Sequence, residues 1–142
     1  MTRTGVWGRA SLLALGGAAG FWLTNLAISL TPLAAEYRSA LSIPYLPMLI
    51  EAILGGLAIG VCVAYPVVRF FEMGLSPVTA SLMLSGVALA IVTLVIEVPA
   101  KFLTTINDPW RYFLIGALFN SLRILALGAV IGVLGRKGLS GI

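Results

Sequence analysis

Asn25, Glu51, Asn120 and Arg123 are the polar residues of this chain that fall inside long apolar runs and do not mark the ends of those runs. An ionisable side chain at membrane depth is expensive to keep, and it marks a pathway, a binding site or a paired lock between helices. Arg123 lies within FNSLRILALGAVIG (residues 119–132), with Asn120 one helical turn earlier. Its guanidinium offers five N–H donors and stays charged, so it needs a carboxylate, carbonyls, water or an anion inside the protein. Glu51 is the acid with which it could pair. Two chemistries follow. Either Glu51 and Arg123 form an ion pair that fixes helix register, or they bind or conduct something, with Glu51 as the ion- or proton-coupled group and Arg123 as the anion binder.

Depth along the helices ranks these partners. At ~1.5 Å per residue, Glu51 lies ~9 Å into its segment, and Asn25, on an oppositely running segment, lies at a similar level. Asn120 is ~15 Å and Arg123 ~20 Å deep from Trp110. The ~10 Å offset between Glu51 and Arg123 is too long for rigid contact. Extension of the arginine toward the nearer surface, with Asn120 as a bridge, would close most of it.

The elements that position these residues are membrane spans. The chain has 142 residues, 60% hydrophobic and 10% charged, with a mean hydropathy of +1.08; soluble domains carry about a quarter charged residues. A bilayer core of ~30 Å needs about 20 apolar residues per helix. Four segments qualify, at 10–30, 45–68, 77–97 and 110–134. The third and fourth open with Ser76-Pro77 and Asp108-Pro109, an N-cap followed by proline at the first helical position. The first could be a cleaved leader, but its apolar run is long and the small residues of PLAAE (32–36) make a mediocre cleavage site. The expected fold is therefore an all-α four-transmembrane-helix bundle, a single membrane domain.

Basic residues near span ends set orientation. With both termini cytoplasmic, the inner side holds Arg3, Arg9, Arg69, Arg136 and Lys137; the outer side holds Arg38, Lys101 and Arg111, offset by Glu36, Glu97 and Asp108. The expectation is a multi-pass protein of the plasma (cytoplasmic) membrane. Trp7, Tyr37, Tyr45, Trp110 and Tyr112 lie near the interfaces, as an aromatic belt should; Trp22 does not. Glu97 and Lys101 have i,i+4 spacing, but Pro99 between them is expected to interrupt the helix and leave both solvated.

Small residues at four-residue spacing let helices approach closely in lipid. Gly16 and Gly20, Gly56 and Gly60, and Gly128 and Gly132 form three such pairs. Three packing faces exceed the apparent needs of one compact bundle, which points to a homo-oligomer or to other membrane subunits. Below Glu51 a stripe of Gly55, Ala58 and Cys62 either packs against a neighbour or leaves a groove, and Cys62 reads as a small packing residue.

Composition excludes several functions. There is no histidine and a single cysteine, which removes bis-His haem ligation, most zinc and copper sites, and any intrachain disulfide or CxxC pair. No metal or other cofactor is expected. The net charge of +4 comes from residues scattered at span ends, which suits anionic lipid and not nucleic acid. No spacing supplies a catalytic set; the separated acids Glu97 and Asp108 make a weak case for a lipid-modifying enzyme. A non-enzymatic subunit of a larger membrane assembly is the leading expectation, with a small homo-oligomeric transporter or channel using Glu51 and Arg123 as the alternative. The architecture is similar to that of small multidrug-resistance transporters, which have four short helices and a membrane glutamate. Theirs lies in the first helix, however, where this chain has no acid.

Overall fold

A computed structural model describes residues 1–141. Helix α1 spans Arg3–Ser29 and starts where the Thr2 hydroxyl accepts the Gly5 N–H at 3.2 Å. A tight corner follows. Thr31 caps α2 (Pro32–Ala40) by accepting the Ala34 N–H at 3.2 Å, and its hydroxyl donates back to the Ile28 carbonyl at 2.7 Å. This short amphipathic helix lies in a stretch where the sequence predicts only a connection. Helix α3 runs Tyr45–Glu72 and carries Pro66 without ending. Helix α4 (Pro77–Val92) continues through a π-helical turn, Thr93–Glu97, into α5 (Val98–Phe102). Ser76 holds the cap position of α4, with extended backbone but no side-chain cap bond. Helix α6 spans Pro109–Leu139, and Asp108, at φ 51°, caps it by accepting the Arg111 N–H at 3.3 Å.

Four helical stretches are long and apolar enough to cross a membrane: Arg3–Ser29, Tyr45–Glu72, Pro77–Phe102 and Pro109–Leu139. No strand occurs among the described residues. The third stretch corrects the expectation that it ends near Glu97. Pro99 lacks an N–H and its ring crowds the carbonyl four residues back, yet the helix does not stop. It widens just before the proline, where the Val98 N–H reaches the Thr93 carbonyl five residues back. This π bulge absorbs the proline and carries the helix one turn further.

The helices pack as a ring in which α1 lies against α3 and α6, α6 against α4, and α4 closes on α3 along a thinner contact. The apolar core occupies the half of the bundle nearest the termini. Val63, Ala64, Val67 and Val68 of α3 meet Ile124, Leu127 and Ile131 of α6, all 1% exposed or less. A smaller cluster of Ala34, Ile115 and Phe119 closes the opposite end under α2. Outward-facing Leu12, Leu54, Met83 and Leu94 are each more than 60% exposed. A helix that is apolar all round belongs in lipid, so these side chains face the bilayer. Cys62 is exposed on the same outer surface, not packed as its small size suggests.

The six glycines at four-residue spacing are all occupied within the chain. A Cβ at Gly16 or Gly20 of α1 would meet Leu134 or Val130 of α6; at Gly56 or Gly60 of α3 it would meet Phe21 or the Ala14 backbone of α1. At Gly128 or Gly132 of α6 it would meet Ser85 or Ser81 and Val78 of α4. Glycine faces therefore give no ground for a second chain.

Candidate functional site

The half of the bundle beneath α2 holds a chain of polar side chains. It begins at the π turn. Glu97 ends that turn and Lys101 follows by one helical turn in α5, so both point into the bundle; they are 6% and 4% exposed. Their carboxylate and ammonium form an ion pair at 2.6 Å. This corrects the expectation that both are solvated, because the bulge keeps the helix intact past Pro99. Lys101 also donates to the Tyr37 hydroxyl of α2 at 2.6 Å. Burial pushes the Tyr37 phenol above its ordinary value, opposed by its hydrogen bond with Lys101. Gly116 of α6 makes the room: a Cβ there would collide with Glu97 Oε2 and stand 2.9 Å from the Tyr37 hydroxyl.

From Glu97 the chain passes to α6 and α1. Asn120 Nδ2 donates to Glu97 Oε1 at 2.9 Å, and Asn120 Oδ1 accepts from Arg123 Nη2. Arg123 Nη1 donates to Asn25 Oδ1 of α1 at 2.8 Å, and Asn25 Nδ2 contacts the Met48 sulfur at 3.4 Å. The guanidinium lies 5.3 Å from the centre of the Phe21 ring, within cation–π range. The oxygen and the nitrogen of each buried amide thus both have a partner. Arg123 is not: two of its nitrogens have partners, both neutral, and its Nε is buried with none among the described residues.

The charge balance follows. Two cations, Arg123 and Lys101, share one buried carboxylate, Glu97, which Lys101 contacts directly. Asn25, Asn120 and Arg123 come together as a connected set, and Glu51 is not bonded to them. Glu51 is exposed and makes no hydrogen bond or ion pair among the described residues. It nevertheless lines the same groove as Arg123, Asn120 and Glu97.

Three spaces surround the network. A cleft lined by Asn25, Ser29, Tyr37, Arg38, Met48 and Arg123 encloses about 60 Å³, room for about two waters. A wider one at the α2 end reaches Tyr37 and Lys101 past Ser42, Thr104 and Thr105. The third is the groove of about 290 Å³ between α3 and α4 that holds Glu51. Arg123 borders the first and third. Among the described residues no group of three or more His, Cys, Asp or Glu is placed to hold a metal ion.

Sequence reasoning missed Glu97, Lys101, Tyr37 and Gly116. The i,i+4 acid–base spacing of Glu97 and Lys101 was the available signal, and Pro99 masked it. Trp22, unexplained by an aromatic belt, donates its indole N–H to the Leu49 carbonyl at 3.1 Å and ties α1 to α3 beside the groove. No protein-family model, curated protein or solved structure matches the chain.

Proposed function

We propose that this multi-pass membrane protein is a small transporter that binds an anionic group at Arg123, reached through the cleft beneath α2 and the groove between α3 and α4. One observation carries the reading: a guanidinium inside the bundle borders two clefts and is partnered only by amides. A cation held for architecture alone gains most from a buried carboxylate, because an unpaired charge out of water is strongly unfavourable. Glu97, within the same network, pairs instead with Lys101. Arg123 is left with donors and charge to offer a ligand. Arg38 borders the same small cleft, with its side chain bonded only to the Ser29 carbonyl among the described residues. The small-residue faces, one ground for reading the chain as a non-enzymatic subunit of a larger assembly, are met by the chain's own helices.

Binding to the folded state alone raises stability, by about 2.7 kcal/mol at a ligand concentration 100 times the Kd. Thermal unfolding of the purified protein in detergent, titrated with inorganic phosphate, is expected to show a concentration-dependent rise in Tm that Arg123→Gln abolishes. A wild-type Tm indifferent to phosphate and to other small anions would sink the proposal. Anion flux into reconstituted vesicles, lost in the same variant, separates transport from binding alone.

A further inference from the structure

The ligand class follows from what shares the groove between α3 and α4, taking the anion-binding reading of Arg123 as its premise. Two ionisable groups of opposite sign line this groove without a direct ion pair, the Glu51 carboxylate from α3 and the Arg123 guanidinium from α6, while Glu97, which also lines it, is held by Lys101. They do not reach each other. A simple anion seated on Arg123 would lie in the field of Glu51, and at membrane depth that repulsion is only weakly screened. A ligand carrying both an anion and a cation satisfies both. The groove's position selects further. Glu51 sits ~9 Å inside a spanning helix, and Glu51 and Ile96 (56% exposed) form its open rim. Its other walls include the apolar Ile59 and Val92. The thin contact between α3 and α4 leaves this side of the ring as the entrance from lipid.

We infer that the groove binds the headgroup of a zwitterionic aminophospholipid, with its phosphate on Arg123 and its primary ammonium on Glu51. The ammonium donates hydrogen bonds to the exposed carboxylate, the phosphate takes the unused guanidinium donors, and the acyl chains leave between α3 and α4 along Ile59, Val92 and Ile96. A lipid with phosphate but no ammonium meets Arg123 while facing an unneutralised Glu51. Phosphatidylethanolamine should therefore be preferred over phosphatidylglycerol, although the latter carries more net negative charge.

Native mass spectrometry of the delipidated protein with an equimolar mixture of the two lipids measures that preference. The wild type is expected to retain phosphatidylethanolamine roughly tenfold better, equivalent to about 1.4 kcal/mol. Glu51→Gln is expected to bring the two lipids level, and Arg123→Gln to lose both. Equal retention by the wild type, or an undiminished preference in Glu51→Gln, would overturn the assignment. Glu51 is exposed and unbonded, so that variant keeps its fold and decides the matter even where Arg123→Gln does not assemble. Phosphate titration separates the two proposals. Arg123-dependent stabilisation by phosphate without any lipid preference leaves the anion site standing and sinks the lipid; indifference to phosphate and to both lipids sinks both.

Discussion

Lys101 is a buried cation with a carboxylate of its own, and the pair shows what burial does to charge. Glu97 and Lys101 are both less than a tenth exposed and meet at 2.6 Å. Removing one partner leaves the other charged and uncompensated, which destabilises by about 3–5 kcal/mol; replacing both leaves no such charge. Glu97→Gln is therefore expected to lower stability by about 3 kcal/mol and Glu97→Gln with Lys101→Met by less than the sum of the single changes. Equilibrium unfolding of the four proteins in a double-mutant cycle measures the coupling, expected to exceed about 1 kcal/mol. Simple additivity would mean that the ion pair contributes nothing beyond its separate hydrogen bonds. Arg123 differs in kind: it is partly buried and its hydrogen-bond partners are amides, and this contrast between the two cations supports assigning structure to one and ligand binding to the other.

At the scale of elements, the backbone approach of α1 and α3 is tightest at Gly60. A Cβ there would stand 2.8 Å from the Ala14 carbonyl oxygen, and backbone inside a helix gives way only if the helices part. Gly60→Ala is expected to lose about 1–3 kcal/mol through overpacking. Gly55, five residues earlier on the same helix, has nothing within 4 Å of such a Cβ. Gly55→Ala should be neutral or gain up to about 1 kcal/mol from helix propensity. Comparing the two by thermal unfolding in one detergent isolates packing from propensity; equal effects would contradict close approach at Gly60. The π turn is the other decisive element. It preserves the third span past Pro99 and so places Glu97 and Lys101 inside.

At the scale of the molecule, the two halves of the bundle do different work. The half nearest the termini has an apolar core with the small hydroxyls of Ser81 and Ser85 as its buried polar groups against α6, and the half beneath α2 buries Asn25, Glu97, Lys101 and Asn120. The basic residues at the two ends are also unequally offset by acids. At the α2 end, Arg111 is paired with Glu36 at 2.8 Å and Lys101 with Glu97. At the other end, Arg3, Arg9, Arg69, Arg136 and Lys137 are opposed by Glu72, which contacts Arg69 and the N-terminal amine. Basic residues that flank short loops and span ends stay cytoplasmic. Both termini are therefore expected inside, with the cleft beneath α2 facing out. Fusions of a reporter active only in the cytoplasm and of one active only outside it, each placed at the C-terminus, test this; signal from the second alone would reverse the orientation and the side from which the site is reached.

The number and order of the four spans were legible in the sequence, because hydropathy, length and the proline-marked starts act within each segment and need no knowledge of its neighbours; the end of the third was not. The sequence by itself also determined that Arg123 must find partners inside the protein, since five donors on a fixed charge have no solvent in lipid. The glycine spacing pointed to close approach, though not to the fact that each face would be met by a helix of the same chain. Which side chains meet Arg123 was decided by the tertiary structure. Depth along a helix axis can be counted from the sequence, and it made Glu51 a candidate; rotation about that axis cannot. Rotation set Glu51 on an exposed rim and turned Asn25 and Asn120 toward the guanidinium. Pro99 is the sharpest case. Read locally, a proline ends a helix and leaves its flanking charges to water. In the folded bundle, hydrogen bonding widened by one residue carries the helix past it, and the buried partners of Glu97 and Lys101, Asn120 and Tyr37, lie far away in sequence.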